Sequence, residues 1–193
     1  MEVFVYNEFM RVVGIDEVGR GCWAGPVVAG AVLLDDDIPG LRDSKVLSKK
    51  RRAVFSEQIH AAATVGLGWV TPTEVDRLGL TAAVGLAMQR ALDQIAQPYE
   101  QIIIDGNYNF MPNNPKVITI IRADDTVPAV SAASIIAKVA RDEYMAQLSA
   151  KYPMYGFMKH VGYGTEAHRN ALQEHGVTPE HRKSYKPIQA LLQ

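Results

Sequence analysis

The sequence predicts a single α/β domain, and three observations carry that reading. Short apolar runs rich in Val and Ile alternate with longer stretches whose apolar residues recur every three to four positions. A chain of 193 residues, 48% hydrophobic and 21% charged, can bury one sizeable core and lacks the composition of a disordered segment. Three of the apolar runs end, or nearly end, in carboxylates, as expected where a sheet gathers a ligand along one edge.

Residues 11–15 (RVVGI) read as a buried strand, because Val and Ile suit a pleated surface. The run leads into Asp16 and Glu17 and then into Gly19-Arg20-Gly21. Side chains alternate along a strand, so the two acids cannot share a face if it stays regular. The glycines let the chain bend, bringing backbone N–H groups and Arg20 close to whatever the carboxylates hold. In isolation the stretch equally suits a solvated strand end followed by a turn. Ala24–Leu34 is a second strand, hairpinned to the first, and 35–45 is a surface loop with Pro39 and Gly40. From Ser48 to about Ala63 the pattern is helical, with Val54, Phe55, Ile59 and Ala62 facing inward. Lys49, Lys50, Arg51 and Arg52 in its first turn oppose the helix dipole, at about a few tenths of a kcal/mol each. They either face phosphates or are a tolerated charge run.

Val65–Val70 is a third strand, and Thr71-Pro72-Thr73-Glu74 is a capping box with proline at the first helical position. Leu80–Ala96 carries Val84, Ala87, Met88, Ala91, Leu92 and Ile95 on one helical face. Tyr99–Ile104 is a fourth strand ending at Asp105-Gly106-Asn107, and Lys116–Ile121 a fifth, ending near Asp124 and Asp125. Ser131–Leu148 is a helix whose small residues (Ser131, Ala132, Ala133, Ser134, Ala137) let its backbone approach a neighbour closely. Further helices are expected near 165–175 and 187–192. The reading is thus a core over 1–150 with a helical, basic portion over 151–193 packed on it.

Charge divides the same way. Residues 151–193 hold six Lys/Arg against three Glu, while the first 150 hold 14 basic and 18 acidic residues. Four of the five histidines also fall in the tail. An acidic body with a basic tail brings a metal site and a polyanion together, although an ordinary solvated surface explains the split as well. The single cysteine, Cys22, excludes an internal disulfide and a Cys-based metal cage and fits a reducing cytosol. Residues 1–10 lack the basic start and long apolar core of a signal peptide, so a soluble cytoplasmic protein without membrane contact is expected.

If the carboxylate-bearing strand ends are neighbours, about four acids converge. Such groups raise one another's pKa unless a divalent cation neutralises them. Hard oxygen ligands favour Mg²⁺ or Mn²⁺ over zinc. The site would suit phosphoryl transfer with two metals roughly 4 Å apart. Each aspartate taken singly also suits a strand-end cap.

Along nearly its whole length the chain resembles the type 2 ribonucleases H, and within them the bacterial ribonuclease HII family. The resemblance runs in order through GIDEVGRG, AGPVVAGAV, DSKVLSKKRR, AMQRAL, IIIDGN, DDTVPAVSAASIIAKVARD, YPMYGFMKHVGYGTEAHRNAL and HRKSYKP. It implies a ribonuclease H-like fold, a central mixed five-stranded sheet flanked by helices, with a small helical C-terminal portion. It also implies hydrolysis of the RNA strand of RNA–DNA hybrids and cleavage 5′ of single ribonucleotides in duplex DNA, leaving 3′-hydroxyl and 5′-phosphate ends. Asp16 and Glu17 match the family's acidic pair, Asp105 the aspartate of its DGN motif and Asp124 its fourth carboxylate; Asp125 falls where serine is common.

By the same resemblance Gly19, Arg20, Gly21 and Tyr163 read the substrate: backbone groups contact the ribose 2′-OH and the tyrosine packs on the next, deoxy sugar. That agrees with the 2′-OH being what separates RNA from DNA. Lys45 would meet a backbone phosphate. Lys138, Arg141, His181, Arg182 and Ser184 are further candidates that the sequence does not separate from surface charge. The chain departs from the family pattern at Cys22-Trp23, where proline and an aliphatic residue are commoner, and at Ala123, where glycine is usual. A monomer is expected. Two other readings stay open. Another ribonuclease H-like nuclease, of junction-resolvase type, would lack the GRG and tyrosine pair; an inactive nucleic-acid-binding module would not need all four carboxylates.

Overall fold

Alternation along Val12–Val18 (β1) sends Val13 and Ile15 to one face of a sheet and Val12 and Gly14 to the other, and the rest of the molecule is layered on those two faces. The computed structural model describes residues 10–41 and 47–192. Val27–Leu34 (β2) returns antiparallel to β1, pairing Gly30 with Asp16 and Val32 with Gly14. Ala63–Val70 (β3) adds a further antiparallel strand beyond β2. On the other side Gln101–Asp105 (β4) runs parallel to β1, and Val117–Ile120 (β5) runs parallel to β4. The sheet is therefore mixed and five-stranded, in the order β3-β2-β1-β4-β5.

Leu80–Leu92 (α3) covers the first face, burying Val84, Ala87, Met88 and Ala91 against Val13, Ile15, Ala29, Leu33 and Ile104. Lys49–Ala62 (α1) and Pro128–Lys151 (α5) cover the second, where Phe55, Ile59, Ala132, Ala133, Ile135 and Ile136 enclose Val32. The small residues at the start of α5 do what their size predicts. A Cβ on Gly14 would overlap the backbone of Ala129 and Val130, and one on Gly30 would fall 2.5 Å from the Ala133 carbonyl oxygen. Helix and sheet backbones touch there, which brings Ser131 and Ser134 to the end of β1.

Several boundaries differ from the sequence reading. β1 runs on through Asp16 and Glu17 rather than stopping before them, because the pairing with β2 continues to Val18. α3 stops at Leu92, four residues before the expected Ala96, although Ile95 stays buried in the turn that follows. Val54 is 48% exposed rather than inward-facing; Ser56 takes the buried position between Phe55 and Ile59. The capping box on Pro72–Leu78 (α2) forms as expected, with Glu74 Oε2 accepting from Thr71 N at 2.8 Å. Arg90 donates to the same carboxylate, and these bonds hold Glu74 down at about 2. Among the described residues no helix is long and apolar enough to cross a membrane.

Beyond α5 the chain passes through a single 3₁₀ turn, a short helix Phe157–His160 (α6), Glu166–His175 (α7) and Lys186–Gln189 (α8). Three histidines lie buried among these elements. His168 Nδ1 faces the Tyr163 carbonyl at 2.9 Å, so it must carry the proton and donate. His181 Nδ1 accepts from Thr178 N at 3.0 Å, so its Nε2–H donates to His168 Nε2, 3.0 Å away. Both rings are thereby neutral with every nitrogen satisfied. Burial is the main cause that lowers each to about 4. Because the folded values lie below the ordinary 6.5, the stability they contribute is complete above about pH 6.5 and is lost as pH falls toward about 4. Proton NMR on the folded protein is expected to find these two imidazoles still neutral at pH 5.5. Titration of both near 6.5 would contradict that prediction.

Candidate active site

The hydrogen-bond register that builds the sheet also gathers its acids. Ile15 pairs with Ile104 across the parallel β1–β4 ladder, so Asp16 and Asp105 follow side by side at the same end of their strands. β5 does not itself end in a carboxylate. The chain leaves it through Arg122, held at φ 58°, and reverses into one helical turn, Ala123–Thr126 (α4). Ala123 N donates to Asp105 Oδ1 at 2.8 Å, and the Ser131 hydroxyl donates to the Asp124 carbonyl. These ties swing Asp124 inward, fully buried, while Asp125 turns out to an ion pair with Arg122 at 2.6 Å. One oxygen each from Asp16, Asp105 and Asp124 then lies within 4.8 Å of the others.

Glu17 is set apart from that group by the strand's own alternation. Its neighbour Asp16 points toward α5, where Ser134 hydrogen-bonds to it, whereas Glu17 points to the opposite face and pairs with Arg20 at 3.0 Å. It stays near enough to Asp105 for the two to repel. Burial, then the charges of Glu17 and Asp105, push Asp16 up to about 8, against the bonds from Ser134 and from Glu17 N at 2.8 Å. Burial likewise raises Glu17, with Arg20 opposing. Carboxylates crowded and desolvated in this way are poorly placed for stability and well placed to bind a cation. The donor set is oxygen only, which fits a hard divalent ion such as Mg²⁺ or Mn²⁺.

The glycine turn lies beside this cluster. Gly19 is held at φ 94°, a conformation that only glycine adopts without strain, and Arg20 projects from the turn between Glu17 and the face of Phe110. A Cβ on Gly21 would stand 3.7 Å from the Tyr163 ring, so residues 142 positions apart in the chain are neighbours here. Tyr163 is 45% exposed, with its hydroxyl hydrogen-bonded to the buried Cys22 thiol. Trp23 fills the space over Gly164, which seats the same loop. Lys45 lies outside the described residues. Of the weaker candidates, Lys138 pairs with Asp142 at 2.7 Å, and Ser184 donates to Asp76 at 2.6 Å. Arg141, His181 and Arg182 are not surface charge at all but are buried beneath the glycine turn and the Tyr163 loop. Ser131, Ser134 and Tyr185 also support the site, and nothing in their sequence spacing announces it.

The pattern that defines the family described as Ribonuclease HII matches residues 13–188. The ribonuclease HII of Psychromonas ingrahamii is 46% identical over 191 residues, covering 97% of this chain and 93% of its own. That of Shewanella sp. strain ANA-3 is 48% identical over 189 residues, covering 94% and 90%. Among solved structures, the ribonuclease H2 of Pyrococcus horikoshii superposes with a TM-score of 0.81 at 26% identity, over 94% of this chain and 97% of that one. Arrangement and ancestry therefore agree: this chain belongs to the ribonuclease HII family of endonucleases.

Proposed function

We infer that the protein hydrolyses the RNA strand of RNA–DNA hybrids and cuts duplex DNA 5′ of a single embedded ribonucleotide, leaving 3′-hydroxyl and 5′-phosphate ends. The observation that carries this reading is one juxtaposition: the Asp16–Asp105–Asp124 group lies one turn of chain from the Gly19–Gly21 backbone, which itself abuts Tyr163. A cleaving centre and a sugar reader are thus held on one rim.

Asp16, Asp105 and Asp124, with Glu17 at the edge, would hold the divalent metal, Mg²⁺ or Mn²⁺. Bound there, it supplies charge stabilisation to an in-line displacement at phosphorus. The chain's own groups do the selecting. Backbone groups of Gly19 and Gly21 are free of a side chain's bulk and can approach a ribose 2′-OH, which both donates and accepts. The Tyr163 ring, flat and half-exposed, packs on the adjoining sugar, where hydrogen at C2′ is tolerated and hydroxyl is crowded. Arg20, tied to Glu17, holds positive charge beside the scissile phosphate. A junction resolvase would need the carboxylates but neither the glycine turn nor the tyrosine.

The test is a duplex carrying one ribonucleotide, incubated with Mg²⁺, with Mn²⁺ or with chelator, beside an all-DNA duplex of the same sequence. Cleavage is expected only of the ribonucleotide-containing strand and only with metal. Equal cutting of both duplexes would remove the 2′-OH from the account. Tyr163→Ala is expected to lower the rate on the embedded ribonucleotide by about tenfold or more while affecting a continuous hybrid less. An equal loss on both substrates would leave Tyr163 without a role at the junction.

A further inference from the structure

Two arginines, Arg141 on α5 and Arg182 on the segment before α8, are completely buried. Neither forms an ion pair with a carboxylate among the described residues. Their donors go to main-chain carbonyls instead. Arg141 donates from Nε to Pro26 O at 2.9 Å, from Nη2 to Ala24 O at 3.2 Å and from Nη1 to Val161 O at 2.9 Å. Arg182 donates from Nε and Nη2 to Gly25 O, at 3.1 and 2.9 Å, and from Nη1 to Arg20 O at 2.9 Å. The Tyr185 hydroxyl donates to the same Arg20 carbonyl at 2.6 Å and accepts from Arg182 Nη1.

Every one of those carbonyls lies in the 19–26 connection or in the loop that carries Tyr163. The two loops also meet directly, since Trp23 N donates to Gly162 O at 2.8 Å. Arg141 lies so close under Gly19 that a Cβ there would overlap its Nε. Burying a guanidinium without a counter-charge costs several kcal/mol, and neutral side chains could tie down two loops at less cost. What a guanidinium adds is a rigid planar fork of five donors, which fixes several carbonyls in one mutual geometry.

We propose that Arg141 and Arg182 are positioning residues for the sugar reader: acting from beneath through backbone carbonyls, they set the Gly19–Gly21 turn and the Tyr163 loop in register with each other. This rests on the reading above, in which those two loops contact adjacent sugars. An embedded ribonucleotide needs both contacts at once, a 2′-OH at the glycines and a deoxy sugar at the tyrosine. A continuous RNA strand offers a 2′-OH at every step and depends less on that register.

The experiment measures kcat and KM in Mg²⁺ for Arg141→Lys, Arg182→Lys and Tyr185→Phe on three substrates: the single-ribonucleotide duplex, a continuous hybrid and an all-DNA duplex. Circular dichroism and a thermal melt accompany each variant. The expected result is a fall in kcat of about tenfold or more on the embedded ribonucleotide, with KM within about twofold and a smaller fall on the hybrid. Tyr185→Phe removes one hydroxyl and keeps the ring, so it carries the test if a lysine variant does not fold. A purely structural role predicts losses in the same proportion on both cleavable substrates, tracking the folded fraction. That outcome, or unchanged kinetics in a wild type that does discriminate, overturns the inference alone. A wild type that cuts the all-DNA duplex equally overturns the reading beneath it as well.

Discussion

Asp16→Asn is expected to abolish cleavage, by about a thousandfold or more, while affinity for an RNA–DNA hybrid stays within a few fold. Removing one of three carboxylates that converge within 4.8 Å takes away several kcal/mol of charge stabilisation of the transition state. The Gly19–Gly21 turn and the Tyr163 loop, the proposed sugar contacts, are untouched by it. The same substitution is expected to raise the melting temperature in chelator. Asp16 ionises in the folded protein at about 8 rather than at its ordinary 3.8, because burial and the charges of Glu17 and Asp105 disfavour the anion. Between those values the unfolded chain has released the proton and the folded chain retains it, so the stability contribution of Asp16 falls as pH rises. Asparagine has no such dependence, and the difference in melting temperature should widen from pH 5 to pH 8. Near wild-type turnover in Mg²⁺, or a variant less stable than wild type in chelator at pH 8, would contradict this account.

Gly14→Ala is expected to cost at least about 4 kcal/mol, lowering the melting temperature by about 10 °C or preventing folding outright. A methyl group at this position would overlap main-chain atoms of Ala129 and Val130, which no side-chain rotation relieves. α5 would have to lift from β1, moving Ser131 away from Asp124 and Ser134 away from Asp16. Gly21→Ala is the contrast. A Cβ there meets only the Tyr163 ring, at an ordinary 3.7 Å, so its melting temperature is expected within a few degrees of wild type. A fully stable Gly14→Ala protein would mean that helix and sheet have more slack than their backbone contact indicates.

Much of this arrangement is legible in the sequence. Apolar runs mark all five strands, most strongly the central β1, β2 and β4, since a strand buried on both faces has little room for polar residues; the edge strands β3 and β5 are only partly buried. The capping box at Thr71 marked the start of α2 through purely local hydrogen bonds. Small residues from Ser131 onward announced a helix that would lie tight against its neighbour. Misreadings fell where a local rule competes with a distant partner. Val54 is apolar and correctly spaced for the core, yet it faces outward because α1 rotates to bury Ser56 beside Phe55 and Ile59.

The order of the acids along the chain, and the glycine turn that follows the first of them, were set by sequence alone, because strand alternation and glycine's backbone freedom are properties of a few adjacent residues. Which acids meet was decided by tertiary structure: the β1–β4 register brings Asp105 to Asp16, and the reversal at Arg122 chooses Asp124 over Asp125. So was the burial of Arg141 and Arg182, whose composition reads as surface charge. A side chain's charge is written in the chain, but most of the carbonyls these two meet come from a segment more than a hundred residues away, and only folding brings them within reach.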